Sequence, residues 1–150
     1  MRHLPHLRLF LLLLTALSSA FSHAAAVEGN WITIDDRDGS RKSIVQLEVD
    51  NTGELSGTIT ELLRKEAKGS LCEKCPDDFK DKPLKGLTFM WGLTREAEGE
   101  WAGGSILDPK TGKIYKAKLE LNEGGNSLTV RGFIGISLFG RSQTWERYTP

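Results

Sequence analysis

Apolar and polar residues alternate in short runs along the chain after residue 27, and clusters of turn-forming residues separate the runs. The run 43–50 is the clearest example, because Val45, Leu47 and Val49 would share one face of a strand. A period of two residues is typical of half-buried β-strands, and no segment shows a helical period over about 12 residues. The pattern predicts eight strands, at residues 30–34, 43–50, 55–63, 86–93, 100–107, 114–122, 127–136 and 142–148.

Tight turns join most of these predicted strands in sequence order. In the segment DPKTGK, Pro109 presets φ and Gly112 can take the positive φ of a bulged hairpin. Eight antiparallel strands in this order predict an all-β fold, an up-and-down barrel that leaves no free strand edge. An open sheet or a sandwich is the alternative. The 16 glycines, all after residue 28, suit the bends and bulges that closure requires.

The first 26 residues have the composition of a secretory signal. Arg2 and Arg8 precede the apolar run Leu9–Leu17, and small residues follow it. This run is shorter than the roughly 20 apolar residues that cross a bilayer, and no later run is long enough either. The sequence therefore predicts a cleaved signal at residues 1–26 and one exported domain at residues 27–150, in the periplasm of a Gram-negative-type envelope or secreted.

Composition argues against several classes of function. The chain has 20 basic and 20 acidic residues, a balance that gives no footprint for nucleic acid or for an anionic membrane. All three histidines, His3, His6 and His23, lie in or beside the predicted signal. The exported domain would therefore lack the residue that proteins use most often for proton transfer near neutral pH and for binding metals. We expect no enzymatic activity, no cofactor and no metal.

Residues 64–83 form a long charged segment between two predicted strands, where the other connections are mostly short turns. This segment contains both cysteines, Cys72 and Cys75. Long loops in compact domains are often functional. In an exported chain, two cysteines predict a disulfide. A thioredoxin-like redox pair would need a buried strand before Cys72, and EAKGSL is not one. A zinc site would need further ligands from a partner or a second copy.

The segment GNW, Gly29 to Trp31, opens the first predicted strand, and Arg141 and Arg147 lie at either end of the last. Here the chain resembles the lipocalin-like, or calycin, barrels, whose first strand begins with glycine, any residue and tryptophan. The resemblance implies that an arginine of the last strand packs across the indole of Trp31 and closes the barrel floor. An arginine that binds a ligand carboxylate inside the barrel is the alternative.

Longer stretches, above all WAGGSILDPKTGKIYKAKLEL and LTVRGFIGISLFGRSQTWER, are similar to a family of small exported bacterial proteins classed as a domain of unknown function. The resemblance covers nearly all of the chain after the signal. It implies a lipocalin-like barrel without an established activity, so no catalytic residues are transferred from it. One departure is clear, since the long loop of lipocalins follows the first strand and the long loop here follows the third.

In-phase apolar residues indicate what lines the barrel. Strict alternation predicts six lining residues: Leu87, Phe89, Trp91, Tyr115, Val130 and Ile134. Eight strands leave room for a packed core or for one small ligand. A packed core would favour an envelope structural module with an unknown protein partner. An interior with room for a ligand would favour a binding protein for a small apolar or amphipathic molecule. Leu138 and Phe139 would either close the barrel end or contact a partner.

Two points about polar residues stay open in the sequence. A bulge at Gly132 or Gly135 would reverse the facing of Arg131. The acidic segments DDRDG and LDPKTG have the composition of hairpin turns. The first lacks the alternating oxygen ligands of a calcium loop. Carboxylates facing across a cleft, drawn from Asp35, Asp36 and Asp108, would be needed for glycoside hydrolysis, and nothing in the sequence points to that arrangement.

Overall fold

Eight antiparallel strands close into one barrel in sequence order in a computed structural model that describes residues 26–150. The strands are β1 (Gly29–Ile34), β2 (Arg41–Val49), β3 (Leu55–Leu62), β4 (Thr88–Ala97), β5 (Glu100–Asp108), β6 (Lys113–Leu121), β7 (Ser127–Phe133) and β8 (Gly140–Arg147). The predicted up-and-down barrel is confirmed. The predicted signal lies outside the described residues except for Ala26. No helix within residues 26–150 is long and apolar enough to span a membrane.

Antiparallel order gives the barrel two different ends. The closed end carries the β2–β3, β4–β5 and β6–β7 turns and the start of β1. The open end carries the β1–β2 turn, the long β3–β4 loop, the β5–β6 turn and the β7–β8 loop. Alternating side chains fill the closed half of the interior. The largest of these are almost fully buried: Trp31, Leu47, Leu55, Leu93, Leu119 and Leu128.

Strand β4 departs from strict alternation because it is bulged twice. Its register against β3 shifts on both sides of the pair Gly57 and Met90, so β4 carries an extra residue on each side. Gly57 leaves room for Met90, since a Cβ there would lie 2.9 Å from the Met90 Cε atom. As a result Phe89 and Met90 are both buried, whereas Trp91 turns away from the interior. Trp91, which strict alternation predicts to line the barrel, therefore does not border the cavity and stacks on Phe79 instead.

The long loop between β3 and β4, residues 63–87, is called the cysteine loop below. Its Cys72–Cys75 disulfide is present as predicted, and both residues are buried. The backbone N–H of Cys72 donates to the Lys82 carbonyl at 2.8 Å, which holds the two arms of the loop together. Phe79 stacks on Trp91 with ring centroids 5.3 Å apart. The outward-facing indole is therefore the surface on which this loop packs.

The β5–β6 turn is a second contact for the cysteine loop. Gly112 in this turn has a φ of 73°, and a Cβ atom there would collide with the Lys74 carbonyl. Only glycine fits both the left-handed backbone and this close approach. The disulfide thus lies where the cysteine loop contacts the β5–β6 turn at the open end, and it fixes the shape of the cysteine loop.

Candidate functional site

The floor of the barrel is built around Trp31 and Arg147. The Arg147 guanidinium carbon lies 4.2 Å from the centre of the Trp31 ring. Its Nε donates to the Gly125 carbonyl at 2.7 Å, and its Nη2 donates to the Ala26 carbonyl at 2.7 Å. Burial lowers the pKa of Arg147, but a guanidinium stays protonated in proteins. Arg147, near the end of the chain, therefore bonds both Ala26, at the start of the described residues, and the β6–β7 turn. We call this charged side chain over Trp31 the plug of the barrel floor.

Gly29 is required for the same plug. Its φ is 117°, and a Cβ atom at this position would lie 3.4 Å from Nη1 of Arg147. Two more hydrogen bonds complete the floor of the barrel. Nη1 of Arg147 donates to the Glu28 carbonyl at 3.2 Å, and Nε1 of Trp31 donates to the Val27 carbonyl at 2.9 Å.

Arg141 lies far from Trp31, at the open end. Strand β8 runs from the open end to the closed end, so six residues place Arg141 about 20 Å from Arg147. At the open end the Nε atom of Arg141 donates to the carboxylate of Asp36. Of the two arginines proposed for the floor, the structure brings only Arg147 to it.

The open half of the barrel contains a cavity of about 1000 Å³. Its mouth lies among the four loops of the open end. Apolar side chains line much of this cavity, including Ile59, Leu62, Phe89, Ile106, Val130 and Trp145. The Phe89 and Trp145 rings lie 6.2 Å apart. The barrel is therefore packed at one end and hollow at the other.

Polar groups lie among these apolar side chains, since Tyr115 is the cross-strand partner of Ile106 and Gln143 that of Val130. The hydroxyls of Thr33 and Ser43 lie 2.7 Å apart, and both residues are buried. The Trp145 indole N–H donates to Gln143 Oε1 at 3.2 Å. Because an indole nitrogen can only donate, this contact fixes the orientation of the Gln143 amide. The NH₂ group of Gln143 is then a donor available to a molecule in the cavity, as is the hydroxyl of Tyr115.

Asp35 fixes the β1–β2 turn at the cavity mouth. One carboxylate oxygen accepts from the backbone N–H of Arg37 at 3.0 Å and from its Nε at 3.3 Å, and the other lies 3.7 Å from Lys42 Nζ. The backbone hydrogen bond from Arg37 is the main cause that lowers the pKa of Asp35 to about 2, and it outweighs the effect of burial. Asp35 is therefore an anion at neutral pH.

Asp36 and Asp108 are also engaged by their surroundings. Asp36 pairs with Arg141. The Asp108 oxygens accept from the Lys110 backbone N–H and from the Thr111 hydroxyl, each at 2.9 Å. These contacts are turn chemistry of the kind the sequence predicted. Within residues 26–150, no group of three or more histidine, cysteine, aspartate or glutamate side chains is placed to hold a metal ion.

Replacing Asp35 by asparagine should remove an acid-sensitive part of the stability. The folded-state pKa of about 2 lies below the ordinary value of 3.8, so ionised Asp35 stabilises the fold above about pH 4. This contribution is lost as the pH falls from 4 through 2. We expect Asp35→Asn to lower the unfolding free energy at pH 7 by about 2 kcal/mol, because each pKa unit corresponds to about 1.4 kcal/mol.

Urea unfolding at several pH values measures this effect. The difference between the natural protein and Asp35→Asn should shrink steadily between pH 4 and pH 2. Asp78→Asn is the control, since Asp78 is an exposed aspartate of the cysteine loop, away from the β1–β2 turn. A difference for Asp35→Asn that does not change over this pH range would contradict the assignment.

Four of the six predicted lining residues border the cavity: Phe89, Tyr115 and Val130 along its walls and Ile134 at its mouth. Val130 faces inward beside the glycine of β7, Gly132, where a Cβ would lie 3.4 Å from Ile106. The unbulged β7 therefore leaves Arg131 on the outer face, which answers the question that the sequence left open.

Leu87 and Trp91 do not border the cavity, and Ile134 does so only at its mouth. Leu87 is buried just before β4 and borders an outer groove beneath the cysteine loop. Trp91 packs under that loop, as described. Ile134 lies beyond the end of β7, where it borders the cavity mouth but is 64% exposed. Strand β7 ends early because Gly135 takes a φ of 71°, which starts the turn into β8.

Sequence reasoning missed the polar and aromatic residues that β8 and β1 contribute to the cavity. Trp145 and Gln143 have the same parity as Arg147, so alternation along the last strand could have found them. Thr33 lies two residues after Trp31 on β1, and Ser43 on β2 is the cross-strand partner of Thr33. Polar residues inside a barrel do not stand out in a search for apolar periodicity.

The fold and its one-ended cavity define a lipocalin-like β-barrel. Protein HP1028 from the human pathogen Helicobacter pylori, described as belonging to the lipocalin family, matches with a TM-score of 0.71 and 19% sequence identity, over 83% of this chain and 84% of that chain. At this identity the similarity shows the fold alone.

The family follows from the sequence comparison. Residues 29–147 match the family described as "Uncharacterized protein conserved in bacteria (DUF2147)". This match spans most of the chain, and the protein therefore belongs to this family. The resemblances that the sequence motifs indicated, to a family of unknown function and to lipocalin-like barrels, are both confirmed. No curated protein matches the chain.

Proposed function

We propose that this protein is an exported binding protein for one small amphipathic molecule and is not an enzyme. The observation that carries the proposal is the cavity of about 1000 Å³ in the open half of the barrel. Cavities for small ligands typically measure roughly 300 to 1,000 Å³ and are mostly apolar with a few convergent polar groups. A packed interior would favour a structural module, and the hollow half of this barrel supports the binding protein instead.

The lining supports an amphipathic ligand. Its apolar part would lie against Phe89, Val130 and Trp145. Its polar part would accept hydrogen bonds from the Gln143 amide and the Tyr115 hydroxyl. Transfer of apolar surface from water would supply most of the affinity, at roughly 25 cal/mol per Å² buried. The polar groups would set orientation and selectivity.

Two further observations support export and the absence of catalysis. The Cys72–Cys75 disulfide is typical of an oxidising compartment, in agreement with the predicted signal at residues 1–26. No histidine follows residue 23, and the carboxylates at the cavity mouth are held in turns or ion pairs. A catalytic carboxylate would instead need to reach a substrate in the cavity.

Native mass spectrometry of protein purified from its own cell envelope tests the proposal. We expect a complex heavier than the polypeptide by the mass of one small molecule, which is released on denaturation and recovered by solvent extraction. If the native mass equals that of the polypeptide and a dansyl-labelled undecanoic acid does not bind the same preparation, the proposed function is wrong.

A further inference from the structure

The exposed large apolar side chains of this protein lie at one end of the barrel. Within residues 26–150 they are Leu71, Ile114, Ile134, Ile136, Leu138 and Phe139. Four of them belong to residues 134–139, called the apolar loop below, where Leu138 is 81% and Phe139 72% exposed. Leu71, Ile134 and Phe139 border the cavity mouth. An apolar patch concentrated in one place marks an interaction surface.

Hydrogen bonds, and not apolar packing, hold the apolar loop in shape. Arg131 donates from Nε to the Ser137 carbonyl at 2.7 Å and from Nη2 to the Leu138 carbonyl at 3.3 Å. The Ile134 backbone N–H donates to the Phe139 carbonyl at 3.2 Å. The loop therefore keeps its conformation while its apolar side chains remain in solvent. Those side chains are available to a partner.

Positive charge surrounds the apolar loop. The segment 131–145 contains two arginines and no acidic residue. Lys116 on β6 reaches the Gly135 carbonyl at 3.5 Å, and Lys113 is exposed at the start of the same strand. Because Arg141 pairs with Asp36, the positive charge beside the apolar loop comes from Arg131, Lys116 and Lys113. The near-zero charge of the whole chain therefore conceals a cationic surface at this end.

We propose that the apolar loop docks the open end of the barrel onto a membrane surface rich in anionic phospholipid. Ile136, Leu138 and Phe139 would enter the boundary between headgroups and acyl chains, and Lys116 and Arg131 would lie among the phosphates. The exposed apolar side chains are spread from the cysteine loop to the apolar loop, and they fit a broad surface better than the cleft of a single protein. The docking does not depend on whether the cavity holds a ligand.

Vesicle flotation tests the proposal. The probes are vesicles of phosphatidylethanolamine with about one quarter phosphatidylglycerol, and vesicles of phosphatidylcholine. The proteins are purified after export, and mass spectrometry confirms the same N-terminus in each. We expect binding to the anionic vesicles that weakens as salt is raised. Leu138→Ser with Phe139→Ser should weaken the partition at least about tenfold without changing the charge.

The electrostatic part is tested by a matched pair of lysines on β6. We expect Lys116→Gln to weaken binding about fivefold and Lys118→Gln, farther from the open end and beside Glu100, to change it little. Circular dichroism confirms that each variant is folded. The proposal is overturned if the natural protein does not float, or if the double serine variant floats equally well. It is also overturned if that variant instead abolishes a dimer seen by sedimentation. Binding of the dansyl probe reports on the cavity separately.

Discussion

Arg147→Ala should lower the unfolding free energy by about 3 kcal/mol, with a fall in melting temperature of about 10 °C. The substitution removes the cation over the Trp31 ring and leaves the carbonyls of Ala26, Glu28 and Gly125 without their donor. Hydrogen bonds to a charged donor contribute more than neutral ones, and the group is partly buried. Thermal unfolding followed by circular dichroism measures the shift, and tryptophan emission should move as water reaches Trp31.

Arg141→Ala is the matched control, because it removes the same side chain from the other end of the same strand. Arg141 is mostly exposed and pairs with Asp36, so its loss should cost about 1 kcal/mol or less. Arg147→Lys should fall between the two, since an ammonium keeps the charge but not the planar set of donors. Equal effects of Arg141→Ala and Arg147→Ala would contradict the role of Arg147 as the plug.

Gln143→Trp should weaken binding of a dansyl-labelled undecanoic acid about a hundredfold while the barrel stays folded. The Gln143 side chain lines the cavity beside Val130 and Trp145, and a larger side chain there would occupy part of the cavity volume. Gln143→Leu keeps the size but removes the donor, so it should weaken binding about five- to a hundredfold, as expected for an unmade hydrogen bond. Fluorescence titration measures both affinities.

The control for Gln143→Trp is its neighbour on β8. Thr144 is exposed on the outer face, so Thr144→Trp adds the same side chain outside the barrel. We expect the affinity of Thr144→Trp to match the natural protein. If both tryptophan variants bind the probe alike, the probe does not occupy this cavity. Melting temperatures within a few degrees of each other show that neither variant acts through unfolding.

The strand count and order were predictable because each strand carries its own period and its own turn. The position of Trp91 was not, because alternation assumes an unbulged strand. The two bulges of β4 depend on Gly57, a residue of the neighbouring strand. Periodicity within one strand holds no information about where a partner strand lacks a side chain.

The two arginines of β8 illustrate a second limit. Arg141 and Arg147 have the same parity, so alternation alone could not choose between them. Strand direction could have done so, since the end of β8 must lie beside the start of β1 in a closed antiparallel barrel. The cavity lay beyond sequence reasoning altogether. Alternation shows which side chains point inward, but the summed volumes and the strand tilt decide whether they fill the space.

The seam between β1 and β8 differs from every other strand contact. It consists of the pairs Trp31–Arg147 and Ile32–Glu146 within the described residues, whereas the other contacts join strands that follow one another in the sequence. Glu28 and Arg147 bond across 119 residues of chain. Closing so long a loop costs entropy before its contacts form, so we expect the seam to form last in folding. Arg147 would then control chiefly how fast the barrel unfolds, and amide hydrogen exchange would be faster at this seam than between the other strands.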